Sequence, residues 1–506
     1  MPEHRRSSSS SRRSRRRTIE RSAVPNPNPD PRALQVVAAI AITVMCWSFG
    51  GVQYWARFAF AGVCVAVFFA ALWPDPRAFM KRTVRTGFFW GGLFVTLYTL
   101  IQALNPSYDA IVAQDLSRRI EARPHIEWLP TGVNASWYQG SPWRNLAMIS
   151  ATWLAFVGLR GGLQDRRSWI RLVWIAVLNG SAVAFVGSLV ELTGSKKILW
   201  VFDSINRSFF GTFYYKNHAA AFHYLTIALC GVLYFYHLRQ TRVRGLKSGP
   251  HLICPLLALL NFAAVYQTDS KGGMLLAGAV TVIVLVTAFG QGWQHWRASG
   301  EGLAGLAVPG VFGLILLIGG AFTLPTLVDF EKNETLISGL FDDMDSLQDA
   351  EIEQSRSSNR HRFIMMRAFG EMLMETPFWG VGAGCFEHFS REYSIRYPDI
   401  YYARYDRKAG GWVTYIWVDA HSDWIEFAIE YGWGAFALIL FTLGCCIWEP
   451  LRNLSDFRLS WVPAAAGAGA FAFHAVWEFV FQAPTLVFFF TLVLSTPLFL
   501  RRRVRA

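Results

Sequence analysis

The chain contains many apolar runs of about 20 residues, and this feature constrains its fold most strongly. A helix of about 20 residues crosses the hydrocarbon core of a bilayer, so each run is a candidate membrane span. With 53% hydrophobic and 16% charged residues, the 506-residue chain is too apolar to be a soluble multidomain enzyme. We therefore predict an all-α integral membrane protein with about 12 transmembrane helices. The runs lie near 33–52, 54–73 (interrupted by Arg57), 87–105, 145–163, 169–191, 217–237, 252–268, 273–290, 304–326, 421–447, 460–479 and 483–500.

The distribution of Lys and Arg predicts the orientation of these helices. Alternate connections are rich in Lys and Arg, as the positive-inside rule expects of cytoplasmic loops. Both termini are then cytoplasmic. Residues 1–32, rich in Arg, Ser and Pro, are predicted to form a disordered basic cytoplasmic tail, and no nucleic-acid partner is expected. The remaining units are helices 1–9 (33–326), an outer loop (327–420), and helices 10–12 with the basic C-terminus (421–506).

The outer segment 327–420 is too long to be a simple connector, and loops of that length are usually functional. Its apolar spacing predicts a helix that ends at Thr376 and Pro377, because a proline disfavours helix in the preceding residue. The glycines of 380–384 then predict a sharp turn, and a second short helix is expected from Cys385 to Tyr393. We expect these helices to form a cap over the outer face of the bundle.

Ionisable residues in or near a membrane are costly, so those present are candidates for function. In the predicted topology such residues, contributed by several separate loops, all lie at or just below the outer surface. Several cations and histidines without metal-ligand spacing suit a diphosphate, because Lys and Arg neutralise its oxygens while His moves a proton. These residues are Lys216, His218, Asp269, Lys271, Arg362, His421, Asp423, His474 and Glu478.

Each of these residues also has a simpler interpretation. Lys216 could reach to lipid headgroups, as Lys does at helix ends. His474 and Glu478 are four residues apart and could be a buried pair on one helix face. Asp423 could be present because an acid is favoured in the first turn of a helix. His223, a lone histidine in an apolar run, is interpreted as a packing residue.

Five sequence elements resemble the O-antigen ligase and polymerase superfamily of bacterial envelope glycosyltransferases. Together they span roughly 205–490, in the order and spacing of the family. In this sequence Lys271 stands where the family usually has Arg, Ser422 where it has Asn, and Met366 where Trp is common. The elements are GTFYYKNHAA (211–220), TDSKGG (268–273), Arg362 followed by Pro377 and GVG (380–382), AHSDWIE (420–426) with EYG (430–432), and HAVWEF (474–479) with Pro484.

The resemblance implies an inverting transfer, without metal or other cofactor, of a glycan from undecaprenyl diphosphate to an acceptor sugar at the outer face of the bacterial inner membrane. It implies that Arg362, with Lys271 and Lys216, binds the diphosphate, and that His421 is the catalytic base. Further substrate-binding candidates are His218, Asp423, Glu426, His474 and Glu478. The acceptor is a growing glycan or lipid A core, so the family's products include lipopolysaccharide and exopolysaccharide.

Alternatives remain open at this level. A flippase for lipid-linked oligosaccharides also has about 12 spans, but it would place polar residues near mid-membrane and show two related halves. A signalling scaffold would not require the cations and histidines. Ligase and polymerase share the same donor linkage and face. The aromatic residues of 106–143 could stack on sugars or form an interfacial belt.

Overall fold

A computed structural model of the chain is mostly helical. The structure describes residues 31–112, 118–204, 206, 208–246, 248–299, 310, 358–398, 400–401, 403–406, 411–414, 417–451 and 461–500. The predicted basic tail, the predicted span 304–326 and the first part of the outer loop lie almost entirely outside these residues, as does the end of the basic C-terminus.

Eleven of the helices in the described chain lie on predicted apolar runs, and those that begin at Lys216 and Lys271 end seven and nine residues past their runs. Short 3₁₀ turns at Phe49–Gly51, Pro250–Leu252 and Val480–Gln482 adjoin them. The helices are α1 (Arg32–Trp47), α2 (Tyr54–Leu72), α3 (Pro76–Thr83), α4 (Gly87–Leu104), α5 (Pro142–Gly162), α6 (Arg166–Leu192), α7 (Lys216–Arg244), α8 (Cys254–Gln267), α9 (Lys271–Ser299), α10 (Ser358–Glu375), α11 (Phe386–Ser394), α12 (Asp423–Leu451), α13 (Trp461–His474) and α14 (Pro484–Leu500).

Among the described residues, seven helical segments are long and apolar enough to cross a membrane. They comprise α2, α4, α6, α7, α8 with its preceding 3₁₀ turn, α9 and α12. The helices α1 and α14 are apolar but shorter. The chain is therefore a multi-pass, predominantly helical membrane protein, as the sequence predicts, while the count of twelve and the orientation stay predictions.

Helix α7 forms the centre of the bundle. Almost its whole length from Asn217 to Phe235 is buried, and it packs against α6, α8, α9 and α13. Small residues allow this packing: a Cβ added at Gly273 of α9 would lie 2.3 Å from Ala220 Cβ. Close approach of helix backbones through small residues is how helices associate in lipid. The start of α7 is thereby fixed against its neighbours.

In the described part of the chain, three small sheets occur in the connections, and the sequence pattern did not predict them. One contains β1 (Pro106–Val112), β2 (Arg118–Ala122) and β3 (Gly132–Asn134) in the order β2-β1-β3. In it β1 pairs antiparallel with β2 and parallel with β3. The others are antiparallel two-stranded ribbons, β4 (Lys197–Ile198) with β5 (Phe202–Asp203) and β6 (Ala403–Asp406) with β7 (Gly411–Thr414).

The second part of the outer loop folds into the two helices that the sequence predicts, α10 and α11, separated by the glycine turn. Gly380 and Gly382 have positive φ values of 78° and 111°. The turn bonds to the interior of α12. Val381 N donates to Ile429 O (3.0 Å), and Gly382 N donates to Glu430 O (3.0 Å). At that point α12 is kinked at Gly432, with φ 67° and ψ 173°. The turn therefore hydrogen-bonds to main-chain oxygens of α12 beside its kink.

Candidate functional site

Three helices begin close together, at Lys216 (α7), Lys271 (α9) and Asp423 (α12). Hydrogen bonds connect the three starts, as set out below. The N-terminus of a helix carries unpaired N–H groups and a partial positive charge, so it favours anions. Three converging N-termini form a surface of positive potential even before side chains are considered.

Asn217 is the centre of this convergence, and it is almost fully buried. Its Oδ1 accepts a hydrogen bond from Ser270 Oγ (2.6 Å), and its Nδ2 donates to Glu478 Oε1 (2.5 Å). The backbone oxygen of Glu478 in turn accepts from Asp423 N (3.3 Å). One side chain thus ties together α7, the start of α9 and the segment that follows α13. Asn217 belongs to the motif at 211–220, but the sequence alone indicated no role for it.

The lysines lie on the open side of this network. Lys216 Nζ bonds to the backbone oxygen of Asp269 (2.9 Å) and to its Oδ2 (3.3 Å), with 31% and 85% of the two side chains exposed. Asp269 has a positive φ of 51°, and Lys271 is exposed. An ion pair this open to water is weak. Lys216 is therefore free to exchange its partner for another anion at little cost.

The histidines His218 and His421 lie against the same aromatic ring, Phe479. Their rings lie 5.2 and 4.9 Å from it between centroids, while Tyr215 stacks on it at 5.0 Å. His218 Nε2 also bonds to Phe479 O (3.1 Å). His421 adopts φ 52°, a left-handed conformation uncommon outside glycine and costly unless the surroundings hold it. The structure therefore brings together two predicted site residues that are distant in sequence.

Asp423 and Glu426 are buried and hold the backbone around His421. Asp423 Oδ2 accepts from Phe481 N (2.9 Å). Glu426 accepts from Ala420 N (2.8 Å), next to His421, and from Gln482 Nε2 (2.7 Å). These contacts give the two acids a positioning role for the left-handed turn at His421.

His474 and Glu478 do not form a pair on one helix face, because α13 ends at His474 and the chain then turns. Both side chains are buried, but His474 Nδ1 bonds to Tyr224 OH (3.2 Å) while Glu478 bonds to Asn217. A Cβ added at Gly272 would lie 3.7 Å from His474 Nε2 and 3.0 Å from Trp477 Nε1. His474 is therefore in close contact with the start of α9.

The structure places Arg362 only by its backbone, in the first turns of α10, and its side chain lies outside what is described. Its predicted role in binding the diphosphate stays a prediction. His223, interpreted as a packing residue, is buried and bonds through Nδ1 to Asn261 Oδ1 (2.9 Å).

A second group of charges, not recognised from sequence, surrounds Asp419 next to the His421 segment. Asp419, two residues before His421, is half-buried and interacts electrostatically with Arg144 and Arg57. Burial raises the pKa of Asp419 to about 6, and the two arginines oppose that rise. The available signal was Arg57 itself, an ionisable residue inside a predicted membrane span.

The donor set at these positions is cationic and histidine-rich rather than metal-ligating. Within the described ranges, no group of three or more His, Cys, Asp or Glu side chains is arranged to hold a metal ion. The arrangement can neutralise an anion at the Lys216 end and transfer a proton at His421.

Comparison with known proteins identifies a family for part of the chain. Residues 256–440 match the family model Wzy_C, described as O-antigen ligase. The match includes Lys271, Arg362 and His421, whereas Asn217, His218 and Glu478 lie outside it. No curated protein matches the chain. The matched segment supports an O-antigen ligase/polymerase-like glycosyltransferase in general. The resemblance seen in the sequence motifs is thereby confirmed, and the chain is a multi-pass membrane protein that carries, in residues 256–440, a domain of the O-antigen ligase superfamily.

Proposed function

We propose that this protein transfers a glycan from undecaprenyl diphosphate to an acceptor sugar at the outer face of the bacterial inner membrane, as an O-antigen ligase or polymerase. One observation carries the proposal. The starts of α7, α9 and α12 meet in a single hydrogen-bonded network, with Lys216 beside it and two histidines against Phe479.

The electrostatics of this arrangement favour a diphosphate over a neutral ligand. Each helix N-terminus contributes the equivalent of roughly half a positive charge. Lys216 and Lys271 add two full charges at the exposed edge. Lys keeps the charge of the family's Arg but lacks its planar fork, so Lys271 binds phosphate oxygens as a point charge.

The chemistry needs one proton acceptor and one charge-neutralising surface. The acceptor hydroxyl oxygen attacks the anomeric carbon of the donor sugar while the bond from that carbon to the diphosphate oxygen breaks. The hydroxyl proton passes to His421, and the diphosphate leaves with its charge held by the lysines and helix N-termini. Asp423 and Glu426 keep His421 in its left-handed turn.

The test is glycan analysis of the source bacterium's envelope, in a deletion strain complemented with wild type or with His421→Ala. His125→Ala is the matched control, since His125 is an exposed histidine in the outer connection 106–143. We expect wild type and His125→Ala to restore long polysaccharide and His421→Ala to leave lipid-linked chains unused, at equal protein abundance. Long lipid-linked chains would identify a ligase, and single repeat units a polymerase.

The same experiment separates the transporter alternative. A flippase would leave lipid-linked material facing the cytoplasm in the deletion strain. Full rescue by His421→Ala, together with that orientation, would contradict both the proposed reaction and the role of His421.

A further inference from the structure

Two arginines from the first half of the chain lie at the outer ends of neighbouring helices. Arg57 is in the first turn of α2 and Arg144 in the first turn of α5. The two helices pack closely and run parallel: a Cβ added at Gly158 would lie 2.9 Å from Phe68 Cα, and one at Gly162 would lie 2.6 Å from Ala71 Cβ. Following this register back along both helices brings Arg57 and Arg144 to the same end.

The start of α2 is fixed to the segment that leads into α5. Tyr54 OH donates to Tyr138 O (2.9 Å), and Phe58 stacks on Trp137 with ring centroids 5.0 Å apart. Arg57 lies between these two anchors on its helix. Its position is therefore set by contacts on both sides along the chain.

Helix α11 connects this arginine pair with the His421 segment. Gly140 N, four residues before Arg144, donates to Glu387 Oε1 (2.8 Å). Ser390 Oγ, on the same helix, donates to Trp417 O (2.8 Å). Asp419 and His421 follow directly, and the His421 ring lies 5.8 Å from that of Trp417. These contacts connect the segment that leads into Arg144 with the His421 segment through α11.

The charges of this group are not balanced by direct contacts. Arg57 and Arg144 are half-buried, and neither forms an ion pair within 4.0 Å with another described residue. Arg144 Nε is buried and has no hydrogen-bond partner among the described residues. Each guanidinium also disfavours the charge of the other. Asp419 interacts electrostatically with both arginines, so two cations share a single acid, and a second anion beside them would lower the cost of keeping them together.

We propose that Arg57 and Arg144 form a second oxyanion-binding site, which takes a phosphate or carboxylate group of the acceptor glycan. A guanidinium presents a planar fork of donors that matches such groups in two places. The assignment to the acceptor rests on the proposed function, in which His421 takes the proton of the acceptor hydroxyl. The arginines interact with Asp419, two residues before His421, and lie on other helices than the lysines that would hold the diphosphate.

The experiment is thermal unfolding of the full-length protein in detergent, titrated with inorganic phosphate as the probe and with chloride at equal ionic strength. The starting protein carries Lys216→Gln and Lys271→Gln, so that phosphate binding at the lysine end is weakened. We expect phosphate still to raise Tm, because a ligand that binds only the folded state stabilises it. Adding Arg57→Gln or Arg144→Gln should reduce that rise by about half or more. Arg123→Gln, at an exposed arginine, is the matched control and should not reduce it.

The Tm measured without phosphate separates two interpretations of the arginines. If the arginines await an anion, Arg57→Gln removes repulsion and leaves Tm unchanged or higher. If they only balance Asp419, Arg57→Gln lowers Tm, and Asp419→Asn added to it restores Tm. That second pattern, or an equal phosphate response in all variants, overturns the proposal.

Failure here is distinguishable from failure of the proposed function, because neither readout depends on transfer. Phosphate binding at the arginines with no glycan transfer in the complementation assay would retain the oxyanion site and remove its assignment to the acceptor. Transfer without phosphate binding at the arginines would overturn the oxyanion site and retain the proposed function.

Discussion

Two buried asparagines each join three segments of the bundle, yet their surroundings differ. Asn217 connects the start of α7 with Ser270 and with the Glu478 carboxylate, beside the exposed edge that carries Lys216 and Lys271. Asn261, within α8, connects His223 of α7 with Ser181 of α6 (2.9 Å). The first network contains a charged group and borders solvent, whereas the second joins uncharged partners inside the bundle.

This difference separates a network that organises a site from one that fixes packing. Around Asn217 the helices begin, so N–H groups, a carboxylate and lysines are close together. Around Asn261 the helices continue in both directions, and its amide bonds to side chains of α6 and α7 within the bundle. A buried amide alone is therefore no indication of function; its position relative to helix ends is.

The largest expected effect is on transfer activity. Asn217→Ala should lower glycan transfer by about 10-fold or more, because loss of about 1.5–3 kcal/mol per hydrogen bond to a charged group would release Glu478 and shift the starts of α9 and α12. Asn261→Ala should leave the rate within about threefold of wild type, since residues this far from the site contribute little to transition-state binding. Transfer rates of the two purified variants decide this, and equal losses would break the comparison.

A smaller effect is expected on stability at the interior network. Asn261→Ala should lower the free energy of unfolding by about 1–3 kcal/mol, because it leaves His223 Nδ1 and Ser181 Oγ without their partner. Replacing both partners, in Asn261→Leu with His223→Leu, should recover part of that loss. Thermal unfolding in detergent measures both. A double variant less stable than the single one would show that the polar pair itself stabilises the bundle.

The smallest expected effect is on the pH dependence of Tm, and it should be confined to the region of Asp419. The pKa of Asp419 is raised to about 6 in the folded chain from an ordinary value near 3.8, so the folded state binds this proton more tightly than the unfolded state. Its contribution to stability is complete below pH of about 4 and is lost as pH rises through about 6. Asp419→Asn should flatten Tm between these pH values, whereas Asn261→Ala should shift Tm equally at both. An unchanged pH profile in Asp419→Asn would contradict this.

Much of the fold could be predicted from sequence, because membrane helices are encoded locally by apolar length. The helix ends at Thr376–Pro377 and the turn at 380–384 also follow from local rules. The candidate site residues were recognisable by charge and depth, since an ionisable side chain near a bilayer is rare.

The connections between them were not predictable. Asn217 and Glu478 are 261 positions apart, and the pairing of His474 with Tyr224 spans 250. Local spacing instead suggested His474 with Glu478, which fails because α13 ends between them. Arg144 gave no signal either, since an arginine at the start of a helix is ordinary until its neighbour Arg57 is known.

The glycine turn at 380–384 holds the outer cap closely against α12. At Gly380 an added Cβ would lie 2.3 Å from Glu430 O, and at Gly432 it would lie 2.0 Å from Phe378 O. The cap and the membrane helix thus meet main chain to main chain, with no side chain as a spacer. A side chain at either glycine would therefore push the turn away from α12, whereas the other residues of the turn do not set this separation.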